Sequence, residues 1–240
     1  MKIQPFGDSA IVVQFGEDAN MSVYQKIHSL CRKLEVEPLP GMIECVPSFT
    51  SVTIYYDCFR AVMSHACKTD ETPYEMIFRK LDRILKSHAG YLGETFEVTE
   101  VVVPVCYGGE FGPDLEVVAA YHQLTSEEVI RINSEGTYFA YMIGFSPGFP
   151  YLGGLSKKLA TPRRKHPRLA IPAGSVGIAG NQTGIYSMET PGGWQIIGRT
   201  PLRLFNPDQS PPTLIQAGNY VKFQPVSKEE YDDYLGRDGQ

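Results

Sequence analysis

Apolar residues follow two alternating spacings over the first hundred positions. Residues 9–15 (SAIVVQF) form a short β-rich run, opened by the turn signal Phe6-Gly7-Asp8. Val23, Ile27, Leu30 and Leu34 then fall on one helical face, with Asn20 or Ser22 as cap and the Pro38, Pro40, Gly41 cluster as stop. Residues 41–47 predict a strand, and Val52, Ile54 and Tyr56 alternate with Ser51, Thr53 and Tyr55 in a half-buried one. A second helix has Thr72 as cap, Pro73 in its first turn and Gly90 as terminator, with Tyr74, Ile77, Phe78, Leu81, Ile84 and Leu85 along one side. A last strand runs through Phe96 and Val98 to Val101, Val102 and Val103. The order β-α-β-β-α-β is the split βαβ arrangement, which predicts a ferredoxin-like domain over residues 1–92 with both helices on one face of the sheet.

After Cys106-Tyr107-Gly108-Gly109 the pattern changes. Two short helices are expected within residues 114–134: Pro113-Asp114 precedes LEVVAAYHQL, and Thr125-Ser126-Glu127-Glu128 forms a capping box ahead of Val129 and Ile130. From Thr137 to Phe223 short apolar runs are punctuated by glycine and proline, the pattern of a closed or nearly closed β-barrel. Ser227 then caps a C-terminal helix carrying Tyr231 and Tyr234. The expected fold class is α+β, with a barrel domain over residues 93–240.

Composition adds exclusions. With 42% hydrophobic and 20% charged residues the chain is an ordinary globular protein. No apolar run is long enough to cross a bilayer, and Pro5 and Asp8 interrupt the N-terminus early, so a cytoplasmic location away from membranes is expected. Five irregularly spaced cysteines suit reduced thiols. A net charge of −5 without a basic tail argues against nucleic acid. The charge is unevenly placed, because residues 136–188 contain no Asp or Glu yet hold Lys157, Lys158, Arg163, Arg164, Lys165 and Arg168.

The candidate chemistry lies in that basic stretch and the glycine cassettes around it. Gly144-Phe145-Ser146-Pro147-Gly148 matches the G-x-S-x-G nucleophile elbow, but Gly148 and Pro150 prevent the helix an elbow needs. His166 is the sole histidine downstream, with no carboxylate between it and Ser146, so the motif reads as a turn. There is no P-loop, and the five histidines form no metal-ligand pattern. Arg163 and Arg168 each adjoin a proline and are candidates to hold a carboxylate or phosphate, as is Arg199 after WQIIG. Asn181, Gln182, Thr183 and Tyr186 offer neutral donors and acceptors suited to an amide or lactam, or to closing turns. Trp194 is expected in the core. With no evident nucleophile or general base here, a second protein is expected to complete the site.

The chain resembles the B-subunit family of prokaryotic 5-oxoprolinases, which includes the Bacillus Kip inhibitor and proteins like the first subunit of allophanate hydrolase. The resemblance spans the whole length and is carried by FGDSAIVVQFG, VPSFTSVTIYYD, VPVCYGGEFGPDL, GFSPGFPYLGGL, IPAGSVGIAGNQTGIY and TPGGWQIIGRTPL. It implies a ferredoxin-like domain followed by a cyclophilin-like β-barrel. It also implies work with two 5-oxoprolinase partners, a paralogous cyclophilin-like C subunit and an A subunit. Together they would open 5-oxo-L-proline to L-glutamate at the expense of ATP, with Mg as the nucleotide's companion and the isolated chain inactive. On the family's motif positions, Arg163, Arg168 and Arg199 would hold carboxylate or phosphoryl oxygens, and Gln182 and Tyr186, with Asn181 beside them, would orient the lactam. Relatives commonly carry His in the helix before this region, where this chain reads IRINSEGTY and has Asn133, a candidate catalytic position that keeps hydrogen bonding but not proton transfer. The resemblance also implies an alternative, inhibition of a sporulation histidine kinase by binding, and leaves open a scaffold without turnover.

Overall fold

The computed structural model describes residues 1–66, 70–87 and 99–238. The chain forms two compact units, Met1–Phe96 and Glu97–Gln240.

In the first unit, strands β1 (Lys2–Pro5), β2 (Ala10–Gln14), β3 (Met42–Pro47) and β4 (Ser51–Tyr56) form an antiparallel sheet in the order β1-β2-β4-β3. Helix α1 (Met21–Val36) lies between β2 and β3 in sequence, capped by Asn20, whose side chain accepts from the Val23 amide at 3.0 Å. The four-residue α2 (Cys58–Ala61) runs into a π-helical turn, Val62–Ala66. Helix α3 (Pro73–Ser87) opens on a reciprocal cap between Thr72 and Glu75. Ile11 and Val13 of β2, Val52, Ile54 and Tyr56 of β4, the α1 residues Val23, Ile27, Leu30 and Leu34, and Met76, Ile77 and Leu81 of α3 share one core. Both long helices therefore cover the same face of the sheet, as the alternation in β4 requires. Phe78 lies off the buried stripe and is exposed, while Met76, outside the expected stripe, is fully buried.

Two expectations are revised. The Phe6-Gly7-Asp8 turn does not begin the sheet but joins the hairpin of β1 and β2. Residues 101–103, expected to close the first sheet, belong to β5 (Glu100–Tyr107) of the second unit, where a parallel partner 120 residues later outcompetes any local one. Phe96, Val98 and the Gly90 terminator lie outside the described residues.

The second unit is a closed seven-stranded barrel with a separate two-stranded sheet. Helices α4 (Leu115–His122) and α5 (Ser126–Glu135) follow β5, and α5 begins on the expected capping box of Thr125 and Glu128. Then come β6 (Tyr138–Ile143), β7 (Pro150–Gly153), β8 (Arg168–Ile171), β9 (Ser175–Ala179), β10 (Gln182–Ile185), β11 (Thr190–Gly192), β12 (Gln195–Arg199), β13 (Tyr220–Pro225) and α6 (Lys228–Asp238). The barrel order is β10-β7-β6-β13-β5-β12-β9, closed by β9 against β10, while β8 pairs with β11 outside it. Val103, Val105, Tyr138, Ala140, Leu152, Val176, Ile178, Ile185, Ile197, Val221 and Phe223 fill the interior. The lumen is thus a packed core, as small barrels are. The alternate residues Tyr151, Ala179 and Ile196, with Phe149, Ile171, Tyr186 and Trp194, form a second cluster outside the wall.

Candidate functional site

The outer cluster is mostly aromatic. Phe149 stands edge-on to Tyr151 (4.8 Å between ring centroids), Tyr186 (5.2 Å) and Trp194 (5.5 Å), an arrangement the ring quadrupoles favour. Trp194 is buried, as expected. Tyr186 is buried too, its hydroxyl accepting from the Trp194 backbone N–H; burial pushes its pKa up to about 12 against the opposing pull of that bond and of Arg163. Burial also raises Tyr151, again opposed by Arg163.

The basic segment wraps this cluster and is not carboxylate-free in three dimensions. Asp114, 1% exposed, comes from the start of α4 and accepts from Arg164 Nη1 at 2.7 Å, from Arg168 Nη1 and Nη2 at 2.7 and 2.8 Å, and from the Ile196 amide at 2.7 Å. The Asp114 amide in turn donates to the Ile196 carbonyl at 2.8 Å. The hydrogen bonds that Arg168 donates to Asp114 raise its pKa above that of an ordinary guanidinium. Gly112 permits this docking, because a Cβ there would stand 2.0 Å from the Ile197 carbonyl oxygen. The Pro113-Asp114 pair resembles a helix cap in sequence, yet the carboxylate makes no capping bond. Sequence reasoning missed Asp114 for that reason. The available signal was a basic stretch with no acid of its own.

The expected site residues separate accordingly. Arg168, at the start of β8, is spent on Asp114. Arg163 is exposed, makes no salt bridge among the described residues, and lies close enough to Tyr151 and Tyr186 to affect both. Asn181 is exposed at the tip of the β9-β10 hairpin, where Gly180 has φ +58° and Gln182 pairs with Ala179. The Gly180 amide donates to the Thr161 carbonyl at 2.8 Å, tying this tip to the segment that leads into Arg163. The segment carrying Arg163 is thus joined to the hairpin tip that carries Asn181 and Gln182, and Arg163 acts on two tyrosines of the outer cluster.

Arg199 and Asn133 belong elsewhere. The Arg199 guanidinium lies 5.7 Å from the centre of the Phe111 ring and bonds Tyr231 of α6. Asn133 is fully buried: its Oδ1 accepts from the Tyr107 hydroxyl at 2.6 Å and its Nδ2 donates to Tyr138 at 3.0 Å, while Tyr138 donates to the Asn133 carbonyl at 2.7 Å. Burial raises the pKa of both tyrosines. This knot joins α5 to β5 and β6 and does not meet the arginines.

The GFSPG segment is a turn between β6 and β7, as expected. The Ser146 amide donates to Gly144 O at 2.8 Å and the Phe149 amide to Ser146 O at 3.1 Å, and the Ser146 hydroxyl lies 3.2 Å from that of Ser187. His166 is exposed and is not its partner. Phe145 takes φ +69°, a left-handed conformation costing a residue with a Cβ about 1–2 kcal/mol. Among the described residues no group of three His, Cys, Asp or Glu side chains converges as a metal site, and no helix is long and apolar enough to cross a membrane.

This mixed α+β chain with its closed barrel belongs to the family of the carboxyltransferase domain, subdomain C and D, whose model matches residues 1–215. The sequence is 50% identical to the B subunit of 5-oxoprolinase from Bacillus subtilis (strain 168), over 97% of this chain and 96% of that one. It is 40% identical to the B subunit of the Haemophilus influenzae 5-oxoprolinase, over 93% and 97%. The crystal structure of a conserved uncharacterized protein from Pyrococcus horikoshii, 42% identical, superposes with a TM-score of 0.55 over 96% of this chain and 100% of that one. The chain belongs to the B-subunit family of 5-oxoprolinases.

Proposed function

We propose that this chain works in the cytoplasm as the B subunit of a 5-oxoprolinase, an enzyme complex that opens 5-oxo-L-proline to L-glutamate with ATP. The observation that carries the reading is 50% identity to the Bacillus subtilis B subunit over nearly the whole of both chains. In this reading the first unit is ferredoxin-like and the barrel cyclophilin-like, and the A and C subunits complete the site. ATP, with Mg, supplies the phosphoryl group that activates the lactam.

The chain's own contribution is binding and orientation. Arg163, exposed and without a salt bridge among the described residues, meets the substrate carboxylate. Gln182 and Asn181, at the hairpin tip tied to the same segment, offer hydrogen bonds from their side-chain amides to the lactam. Arg168, held by Asp114, sets the course of the loop that carries Arg163, and Tyr186 supports that loop from below. Arg199 and Asn133 hold α6 and α5 in place.

Co-expression with the A and C subunits, followed by assay of ATP-dependent glutamate formation from 5-oxoproline, tests this. The complex turns over, and the isolated chain does not. Arg163→Ala raises KM for 5-oxoproline about tenfold, the loss of one charge-assisted contact. An assembled complex without turnover would refute the function, whereas an unchanged KM in Arg163→Ala would refute the site while leaving the family intact.

A further inference from the structure

One side chain beside the proposed site has no structural reason for its conformation. Phe145 is 62% exposed, so burial does little to offset its left-handed backbone. The turn does not need its ring. Gly144, Ser146 and Phe149 close it by backbone bonds, the Ser187 hydroxyl donates to the Pro147 carbonyl, and Gly148, at φ +77°, fits against Phe205. Glycine or asparagine at position 145 would hold the same backbone more cheaply. What the conformation achieves is placement: the ring stands nearly perpendicular to Phe149 (5.4 Å) and Tyr186 (6.2 Å), supported along one side and open to solvent on the rest. Tyr186 also feels the charge of Arg163. An exposed aromatic ring and a guanidinium without a salt bridge among the described residues therefore border the same tyrosine.

We propose that Phe145 is a specificity-determining residue that packs against a small planar ring whose attached carboxylate is held by Arg163. This rests on the oxoprolinase reading and adds to it the basis of selection. A lactam acid satisfies both groups, whereas its opened product, an acyclic amino acid, satisfies only the arginine. The site thereby favours substrate over product.

Phe145→Asn and Phe145→Gly in the assembled complex test the assignment, with Phe145→Tyr as the conservative variant. Relief of the left-handed strain keeps or raises the thermal midpoint of both variants, assembly with the partner proteins is unchanged, and KM for 5-oxoproline rises about tenfold with a smaller change in kcat. Phe145→Tyr retains the wild-type KM. An unchanged KM in the Asn and Gly variants overturns the proposal, and so does a fall in midpoint that accounts for the loss. Failure of assembly with normal KM in whatever complex forms makes Phe145 a contact with a partner protein instead, and also overturns it. If the wild-type complex does not turn over, the oxoprolinase reading fails separately. Trp194, the sole tryptophan and 6.4 Å from Tyr186, then decides by its fluorescence. A saturable change with 5-oxoproline that is weaker with glutamate and lost in Phe145→Asn supports the proposal, and no change in the wild type overturns it.

Discussion

Asp114 shows how one buried carboxylate changes the meaning of a charged segment. Six cations without an acid suggest an open anion site, but two of the arginines share one carboxylate 50 and 54 residues upstream. Asp114→Asn leaves Arg164 and Arg168 facing a neutral amide, and because both remain partly solvated the expected cost is about 3 kcal/mol rather than the upper end for a broken buried pair. Urea unfolding followed by Trp194 fluorescence measures it. Asn133→Ala strands the Tyr107 hydroxyl in the core, whereas Tyr138 keeps its bond to the backbone carbonyl of residue 133, and the expected cost is about 1–3 kcal/mol by the same measurement. The sequence singled out the arginine segment, and it identified the turn at Ser146. It did not separate Arg163 from Arg168, because adjacency to proline is equal for both and only the folded position of Asp114 distinguishes them.

Helices were legible where caps and periodicity agree. Asn20, Thr72, Thr125 and Ser227 each bond an amide near the start of a helix, as the spacing of polar residues predicts. Strands were legible by alternation, as in β4, but β1 is four residues ending in proline at a sheet edge and has too little pattern to detect. Two predictions belong at this scale. On α1, burial and the charge of Arg32 lower the His28 pKa from 6.5 to about 4. The folded state then holds a neutral imidazole that the unfolded chain protonates, so stability is lost as pH falls from about 6.5 to about 4. The urea midpoint of the first unit drops over that window, and His28→Gln flattens the drop. On α6, Tyr231 packs 4.7 Å from Phe111, and Cys106 is buried in the same cluster. Tyr231→Ala loosens this seat, and Cys106 reacts severalfold faster with a thiol reagent, read by peptide mass mapping.

At the scale of the whole molecule, the α+β class and the closed barrel follow from counting strands and punctuation, whereas the partners of those strands do not. β5 reads as the end of the first sheet because its neighbours in sequence are there. Its long pairing is with β13, from Tyr220 against Glu100 to Pro225 against Val105, and no local pattern announces a partner that distant. The barrel accordingly depends on its last strand: a chain ending at residue 215 lacks the strand between β6 and β5 and is expected to show the red-shifted Trp194 emission of an opened cluster, whereas one ending at residue 226 retains the native spectrum. Synthesis on the ribosome meets the same constraint in time. The first unit has all its described strands once residue 56 has emerged, while the barrel must wait, with most of its apolar wall already made, until Tyr220–Pro225 leaves the exit tunnel. For that interval the nascent chain presents an unfinished hydrophobic surface, and chaperone demand falls on the second half of translation rather than the first.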